Sequence, residues 1–164
     1  MANKRLWAGI SVMALVFTVT VISCNKVDKS INGSWVSNGF EFKFKDGKFE
    51  VLVDEVSFQK GTYTTKDGEI AFVPTHIFGG GFNTLLELSE EDSGFESKWY
   101  SIKDFIVALK AVMIKLGLSE SEADKFDDDF VNSLSPANKL STYNLSGNTL
   151  NLTTDGATIN FTKK

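Results

Sequence analysis

Apolar and polar side chains alternate with a period of two from residue 31 onward. The alternation is clearest in two runs, Phe40, Phe42 and Phe44 followed by Phe49, Val51 and Val53. Between the runs stands Asp46-Gly47, a pair that supplies the positive φ angles of a tight hairpin turn. Because alternation places every second side chain on the same face of a strand, the pattern predicts a β-hairpin with one apolar face.

Similar turn signals recur at 67–68, 146–148 and 155–156, which indicates a longer antiparallel meander. Further strands are predicted over 58–64, 69–73, 84–88, 95–100, 140–145, 149–153 and 157–162. About eight to ten short strands at near-regular spacing are typical of an antiparallel barrel or sandwich. A barrel is favoured because closing the sheet removes exposed strand edges. The predicted fold is therefore mainly β, an up-and-down β-barrel.

The period changes once, between 101 and 135, where two helices are predicted to form a hairpin inserted between strands. The apolar stripe of the first helix contains Phe105, Ile106, Leu109, Val112, Met113 and Leu116, and that of the second contains Ala123, Phe126, Phe130, Val131 and Leu134. Ser101 with Asp104 and Ser119 with Glu122 are capping-box pairs. Gly117 ends the first helix and Pro136 ends the second.

The first of these helices also carries apolar residues off its main stripe: Val107, Ala108, Ala111 and Ile114. A helix that is apolar on more than one side is expected to pack against two surfaces. The hairpin is therefore predicted either to cover one end of the barrel as a lid or to belong to its core. The candidate lid residues are Phe105, Ile106, Leu109, Met113, Phe126 and Phe130.

The first 23 residues have the three parts of a secretory signal: a basic start, an apolar stretch over 6–22 and a small residue at the cleavage point. A retained transmembrane anchor is the weaker interpretation, because the stretch is near the lower length limit for crossing a bilayer. The predicted organisation is a signal over 1–23, a linker over 24–30 and one barrel domain over 31–164, with the helical insertion at 101–135.

The end of this signal, Val21-Ile22-Ser23-Cys24, resembles the bacterial lipoprotein box. The resemblance implies cleavage before Cys24 and attachment of a lipid to its sulfur, so Cys24 is expected to be a membrane anchor. An unmodified buried thiol is disfavoured because the polar run 25–30 offers no apolar surroundings. Asn25, in place of Asp, resembles the default sorting pattern for the outer membrane. The expected location is the bacterial cell envelope.

Composition excludes several function classes. Removal of the signal leaves 141 of the 164 residues and takes away two basic residues and no acids, so the formal charge goes from −4 to −6. The remaining chain has no arginine, which argues against nucleic-acid binding. One cysteine allows no intramolecular disulfide, and a single histidine argues against a Ser-His-Asp triad or a multi-histidine metal site, which would need improbable substitutes.

Three further features are interpreted structurally. His76 is expected to be a loop or rim residue, because neither a metal partner nor an orienting group accompanies it. Gly79-Gly80-Gly81 lacks the Lys and Ser/Thr of a phosphate loop and is interpreted as a flexible loop at the barrel mouth. Asp127-Asp128-Asp129, with Glu120, Glu122 and Asp124, is assigned to a solvated helix face. No catalytic residue, metal or cofactor is predicted, and the protein is expected not to be an enzyme.

Gly33-Ser34-Trp35, at the start of the first strand, is similar to the Gly-x-Trp signature of lipocalins. Together with the lipoprotein box and the hairpin series it makes the chain resemble bacterial lipocalin-like lipoproteins over 31–100 and 140–164. The resemblance implies that Trp35 packs across the closed end of the barrel, often under a basic residue from the last strand. That strand has no arginine, and only Lys163 and Lys164 are available as substitutes.

The same resemblance implies an open barrel end that admits a small apolar ligand, with the membrane as partner through the lipid anchor. Strand count leaves the question of a cavity open, because an eight-stranded interior is filled either by side chains or by one small ligand. The alternative is an envelope module that binds another envelope protein or a host protein and holds no small molecule. An exposed apolar patch on the helical hairpin would favour this alternative.

Overall fold

The computed structural model describes residues 26–115, 117, 119–125, 141–154 and 156–164. The strands are β1 (Gly33–Ser37), β2 (Phe40–Lys45), β3 (Lys48–Val53), β4 (Val56–Lys66), β5 (Glu69–Phe78), β6 (Trp99–Ser101), β7 (Ser141–Ser146), β8 (Thr149–Thr154) and β9 (Ala157–Lys163). The helices are α1 (Gly79–Leu86), α2 (Glu90–Ser93) and α3 (Ile102–Lys115). A 3₁₀ turn (Lys29–Ile31) precedes β1, and residues 120–125 are also helical.

Eight strands form a closed antiparallel barrel in the order β4-β3-β2-β1-β9-β8-β7-β5, and pairing of β4 with β5 closes it. The short strand β6 is added beside β5. It fits there because β5 is long: Glu69 and Ile70 pair with β7, whereas the segment from His76 to Phe78 pairs with β6. The predicted mainly β up-and-down barrel with an inserted helical segment is confirmed.

The hairpin formed by β2 and β3 has the predicted register. Phe44 lies opposite Phe49, Phe42 lies opposite Val51, and Phe40 lies opposite Val53. Asp46 and Gly47 both adopt positive φ angles, 47° and 82°. The turn chemistry and the alternation therefore act together, and both faces of the hairpin are set by local sequence.

The segment after β5 differs from the prediction. Residues 84–88 were expected to form a strand and the triple glycine a loop, but helix α1 begins at Gly79 and contains Thr84. A Cβ atom on Gly81 would lie 2.2 Å from the carbonyl oxygen of Ser57, and one on Gly79 would lie 2.2 Å from that of Glu96. The glycines therefore permit a helix to pack closely against neighbouring backbone. The prediction of a flexible loop is wrong here, because a run of glycines in the sequence does not show this close approach.

Residues 95–100 were also predicted as a strand, but only the last part is extended, in β6. Phe95 is fully buried ahead of β6, and the backbone there bends so that the Ser93 hydroxyl accepts a hydrogen bond from the Phe95 amide at 3.0 Å. Aromatic content alone therefore misled the strand prediction, because Phe95 serves the core from a loop.

The two predicted capping boxes are present. The Ser101 hydroxyl accepts from the Asp104 amide at 3.2 Å, and the Ser119 amide donates to the Glu122 carboxylate at 2.9 Å. Helix α3 ends before Gly117, whose φ is +98°. None of the helices that the structure describes is long and apolar enough to span a bilayer.

Helix α3 buries one face. Of its candidate lid residues, Phe105, Leu109 and Met113 are buried and Ile106 is partly buried. The expectation of packing on two sides is wrong, because Val107 is 69 % exposed and Ile114 is 43 % exposed. The candidate lid residues Phe126 and Phe130 of the second predicted helix lie outside the described residues.

Candidate functional site

Trp35 lies at the end of the barrel that the 3₁₀ turn covers. Its side chain is 0 % exposed, and its Nε1 donates a hydrogen bond to the carbonyl oxygen of Ile31 at 2.7 Å. Lys163 Nζ lies 5.4 Å from the centre of the indole ring, so it takes the position expected of a basic residue from the last strand. Lys164 instead donates to the Glu41 carboxylate at 2.8 Å, and this contact lowers the pKa of Glu41. The pair Trp35–Lys163 therefore closes this end of the barrel.

Aromatic side chains fill much of the barrel interior above this closed end. We call them the barrel cluster: Phe42, Phe44, Phe49, Tyr63, Phe72 and Phe161. Phe42 contacts Phe161 edge-on with a centroid distance of 5.1 Å, and Phe49 meets Phe72 in the same way at 5.1 Å. These rings occupy space that a ligand would need, so this part of the interior is a packed core.

A second group of rings belongs to the helices and the segment between them. We call it the cap cluster: Phe82, Phe95, Tyr100 and Phe105. Phe105 of α3 stacks on Phe95 with a centroid distance of 4.9 Å and meets Phe82 of α1 at 5.1 Å. Helices α1 and α3 are therefore held together by buried aromatic contacts and form a cap on the barrel.

Gln59 of β4 joins these two regions. It lies directly opposite Val51 on one side and Ile77 on the other, both fully buried, so its side chain faces the interior. Ile77 in turn lies opposite Tyr100 of the cap cluster. Val51, Gln59, Ile77 and Tyr100 therefore form one layer of side chains across neighbouring strands, which we call the inward layer. It begins at the barrel wall and ends at the cap.

The amide of Gln59 is 0 % exposed, and neither its Nε2 nor its Oε1 has a hydrogen-bond partner. An unpaired buried donor or acceptor costs about 1–3 kcal/mol, and this side chain carries one of each. Asn83 of α1 is paired in part, because its Nδ2 donates to the Phe95 carbonyl oxygen at 2.8 Å while its Oδ1 has no partner; Gln59 has neither polar atom paired. The Gln59 amide is consequently the strongest candidate for a group that contacts a ligand.

The chemistry available at Gln59 is hydrogen bonding without charge. An amide offers a donor and an acceptor side by side, which matches a carboxylic acid, an amide or a hydroxyl group on a ligand. No ionisable side chain lies in the inward layer from Val51 to Tyr100 other than the Tyr100 phenol. Among the described residues, no group of three or more His, Cys, Asp or Glu side chains is placed to hold a metal ion.

The other sequence-based candidates lie elsewhere. His76 is on the outer face of β5, opposite Lys60 and Ser101, with Nδ1 3.0 Å from the Thr75 hydroxyl. Glu120, Glu122 and Asp124 are exposed, as predicted for a solvated face, and Lys110 Nζ lies 2.5 Å from the Asp124 carboxylate. Cys24 and Asp127-Asp128-Asp129 lie outside the described residues.

No motif in the sequence marks Gln59 as a site residue. Alternation along β4 assigns Phe58 and Gln59 to opposite faces, but a bulge shifts the register between Val51 and Leu52 of β3. As a result both Phe58 and Gln59 are buried. A bulge places two consecutive residues opposite one partner, and no feature of the local sequence marks it here.

Comparison of the chain with models of known protein families, with curated proteins and with solved structures found no match. Its function is therefore inferred from the fold and from the geometry around Gln59.

Proposed function

We propose that this protein is a lipid-anchored, lipocalin-like barrel of the bacterial cell envelope that binds a small apolar molecule and catalyses no reaction. The observation that carries the proposal is the Gln59 amide, fully buried between the barrel cluster and the cap cluster with both polar atoms unpaired. A folded protein tolerates such a group where a ligand or an ordered water satisfies it. The closed barrel and its Trp35–Lys163 end support the lipocalin-like part of the proposal.

The ligand is expected to combine an apolar body with a single uncharged hydrogen-bonding group. The inward neighbours of Gln59 are Val51 and Ile77, which favour an aliphatic or aromatic body, and the amide favours a protonated carboxylic acid, an amide or an alcohol as head group. A strongly charged ligand is disfavoured, because no ionised partner faces it in this layer and an isolated buried charge is costly.

The anchoring part of the proposal rests on Cys24 and on the segment that follows it. Acyl chains contribute about 0.8 kcal/mol for each buried methylene group, so more than one chain gives stable anchoring without a transmembrane helix. Residues from Lys26 onward are fixed to the barrel: the Lys26 carbonyl oxygen accepts from the Thr65 amide at 2.9 Å, and Asp28 N donates to Thr65 Oγ1 at 2.7 Å. The outer membrane is the proposed location.

The test is native mass spectrometry of the protein purified in mild detergent from its own envelope, together with the variant Gln59→Met. Methionine has nearly the shape of glutamine and lacks the unpaired polar atoms. We expect a stoichiometric small molecule on the unmodified protein and none on Gln59→Met, whose melting temperature is expected to be unchanged or higher.

Thr154→Val is the matched control, since Thr154 is a buried polar residue whose hydroxyl is already paired with Ser141 at 2.7 Å. This variant is expected to lose stability and to keep the small molecule. Retention of the molecule by Gln59→Met, or its absence from the unmodified protein, would contradict the proposed site.

A second candidate function, binding of another envelope protein, is favoured by one observation. Val107, Ala111 and Ile114 are exposed on α3 at the spacing of a single helix face. A photo-crosslinking residue at position 107, with the exposed position 160 of β9 as control, tests this in cells. One discrete adduct from position 107 alone would support a partner on this face, and its absence would favour the small-molecule function.

A further inference from the structure

Four lysines gather on the outer face of the barrel, away from Gln59. They line an open cleft of about 890 Å³ on the strands β2 to β6. The basic and aromatic residues of this cleft are Lys43, Lys45, Lys48, Lys60, His76 and Trp99. Lys60 Nζ lies 4.0 Å from the centre of the Trp99 ring, so it is held by a cation–π contact. We call this surface the lysine face.

The lysine face has an excess of positive charge in a chain whose formal charge is −4. Two carboxylates also line the cleft. Glu50 lies opposite Lys43 on one side and Lys60 on the other, and Lys43 Nζ is also 3.9 Å from the Glu41 carboxylate. Asp46 accepts a hydrogen bond from the Asn32 amide group at 3.4 Å. The local excess of positive charge therefore belongs chiefly to Lys45 and Lys48.

Lys45 and Lys48 make this excess costly. They lie directly opposite each other across the β2–β3 turn, and like charges in that position destabilise a sheet. Within the part of the chain that the structure describes, no carboxylate lies within 4.0 Å of either ammonium group. An anion bound between them would relieve the repulsion.

The position of the N-terminal segment indicates what kind of anion could reach Lys45 and Lys48. A Cβ atom on Gly47, in the turn between Lys45 and Lys48, would lie 3.1 Å from Val27 Cγ2. The segment that leads back to Cys24 therefore passes beside the lysine face. Cys24 precedes Lys26 by two residues, which span at most about 7 Å when extended. A lipid on Cys24 would hold the Lys45–Lys48 turn close to the membrane surface.

The residue types agree with an extended anionic surface. Lysine acts as a flexible point charge, which suits a surface of many phosphate groups without fixed geometry. Trp99 adds an amphipathic ring of the kind that is enriched at the headgroup level of membranes. Each lysine near an anionic bilayer contributes about 1 kcal/mol of attraction.

We propose that the lysine face docks on the phosphate-bearing headgroups of anionic phospholipids in the membrane that anchors the chain. The inference rests on the anchoring part of the proposed function and is independent of the ligand at Gln59. It also fixes an orientation. Because β9 lies four strands from β4 in either direction around the barrel, its outer face points away from the bilayer when the lysine face is docked.

Cysteine labelling tests the docking directly, because Cys24 is the only cysteine in the sequence. When the sulfur of Cys24 carries a lipid, the full chain with Thr62→Cys, an exposed position in the cleft, and the full chain with Asn160→Cys, an exposed position on β9, each have one free thiol and receive one fluorophore. The proteins are reconstituted in phosphatidylcholine vesicles with or without 30 mol% phosphatidylglycerol, in roughly the charge range that attracts basic segments. Quenching by a nitroxide on the lipid headgroup reports contact.

We expect strong quenching at position 62 with phosphatidylglycerol, weak quenching at position 62 without it, and weak quenching at position 160 in both. Replacing Lys45 and Lys48 by glutamine should lower the ratio of docked to undocked protein roughly 25-fold, since about 1 kcal/mol per lysine is a factor of about five. Lys103→Gln with Lys125→Gln removes the same charge elsewhere and should change nothing.

Equal quenching at positions 62 and 160, or quenching that ignores phosphatidylglycerol or the two lysines, would overturn the proposal. Loss of quenching in inorganic phosphate at constant ionic strength would assign the face to free phosphate and would also overturn it. Intact mass shows separately whether Cys24 is acylated. An unacylated Cys24 would contradict the proposed anchoring. In that case the labelling is repeated with Cys24→Ser added, so that quenching still measures contact of the lysine face alone.

Discussion

Replacement of Trp35 measures how the closed end of the barrel is built. Trp35→Ala removes a fully buried indole, and truncations of this size cost about 3–5 kcal/mol of unfolding free energy. Trp35→Phe keeps most of the apolar volume but leaves the Ile31 carbonyl oxygen without the Nε1 donor that now lies 2.7 Å away, at a cost of about 1–3 kcal/mol. Lys163→Met removes the cation over the ring and should cost about 0.5–1 kcal/mol.

The three free energies should therefore fall in the order Trp35→Ala, Trp35→Phe, Lys163→Met. Urea unfolding followed by far-ultraviolet circular dichroism gives them, because that signal does not depend on the tryptophan itself. Trp99→Ala is the matched control: Trp99 is partly exposed on the outer face and should cost less than Trp35→Ala. An unchanged midpoint for Trp35→Ala, or a larger loss for Trp99→Ala, would refute this account of the closed end.

Three other outcomes are expected. Cys24→Ala should abolish lipid attachment, so metabolic labelling with a fatty-acid analogue should no longer mark the protein. Burial and the hydrogen bond to Asp28 raise the pKa of Tyr143 from its ordinary value to about 12. The stability from this contact should be complete below pH 10 and be lost as the pH rises towards 12, whereas Tyr143→Phe should lack this alkaline loss; denaturant midpoints measure both. Phe105→Ala should cost about 3–5 kcal/mol and Val107→Ala less than about 0.5 kcal/mol in urea unfolding, because only Phe105 is buried.

The parts of the fold that sequence predicted are those that local chemistry determines. Alternation together with Asp46-Gly47 gave the β2–β3 hairpin and its inward face, since a register slip of one residue would expose every apolar side chain. Capping at Ser101 and Ser119 gave the starts of two helical segments, because a cap is satisfied within four residues of sequence. These features need no knowledge of distant contacts.

The cap and the candidate site could not be predicted because both depend on distant contacts. Helix α1 begins with three glycines, which are poor helix formers, and forms because Gly81 allows its backbone to approach β4 at Ser57. A bulge in the pairing of β4 with β3 buries Phe58 beside Gln59, so the polar and apolar positions of this strand do not alternate there. Sequence periodicity reports the preference of an isolated element, and here tertiary packing outweighs that preference.

The cap is both core and wall of the proposed site, which limits the ligands that can enter. Phe105 contacts Phe95 at 4.9 Å and Phe82 at 5.1 Å, and separating two such aromatic pairs costs about 1–3 kcal/mol beyond the area exposed. A ligand offsets this cost by burying apolar surface, at about 25 cal/mol for each Å². Because opening the cap also exposes apolar surface, a ligand must bury roughly 40–120 Å² more apolar surface than the opening exposes, which a small polar molecule does not do. In the proposed function, the hydrogen bonds of Gln59 distinguish among ligands that are apolar enough to open the cap.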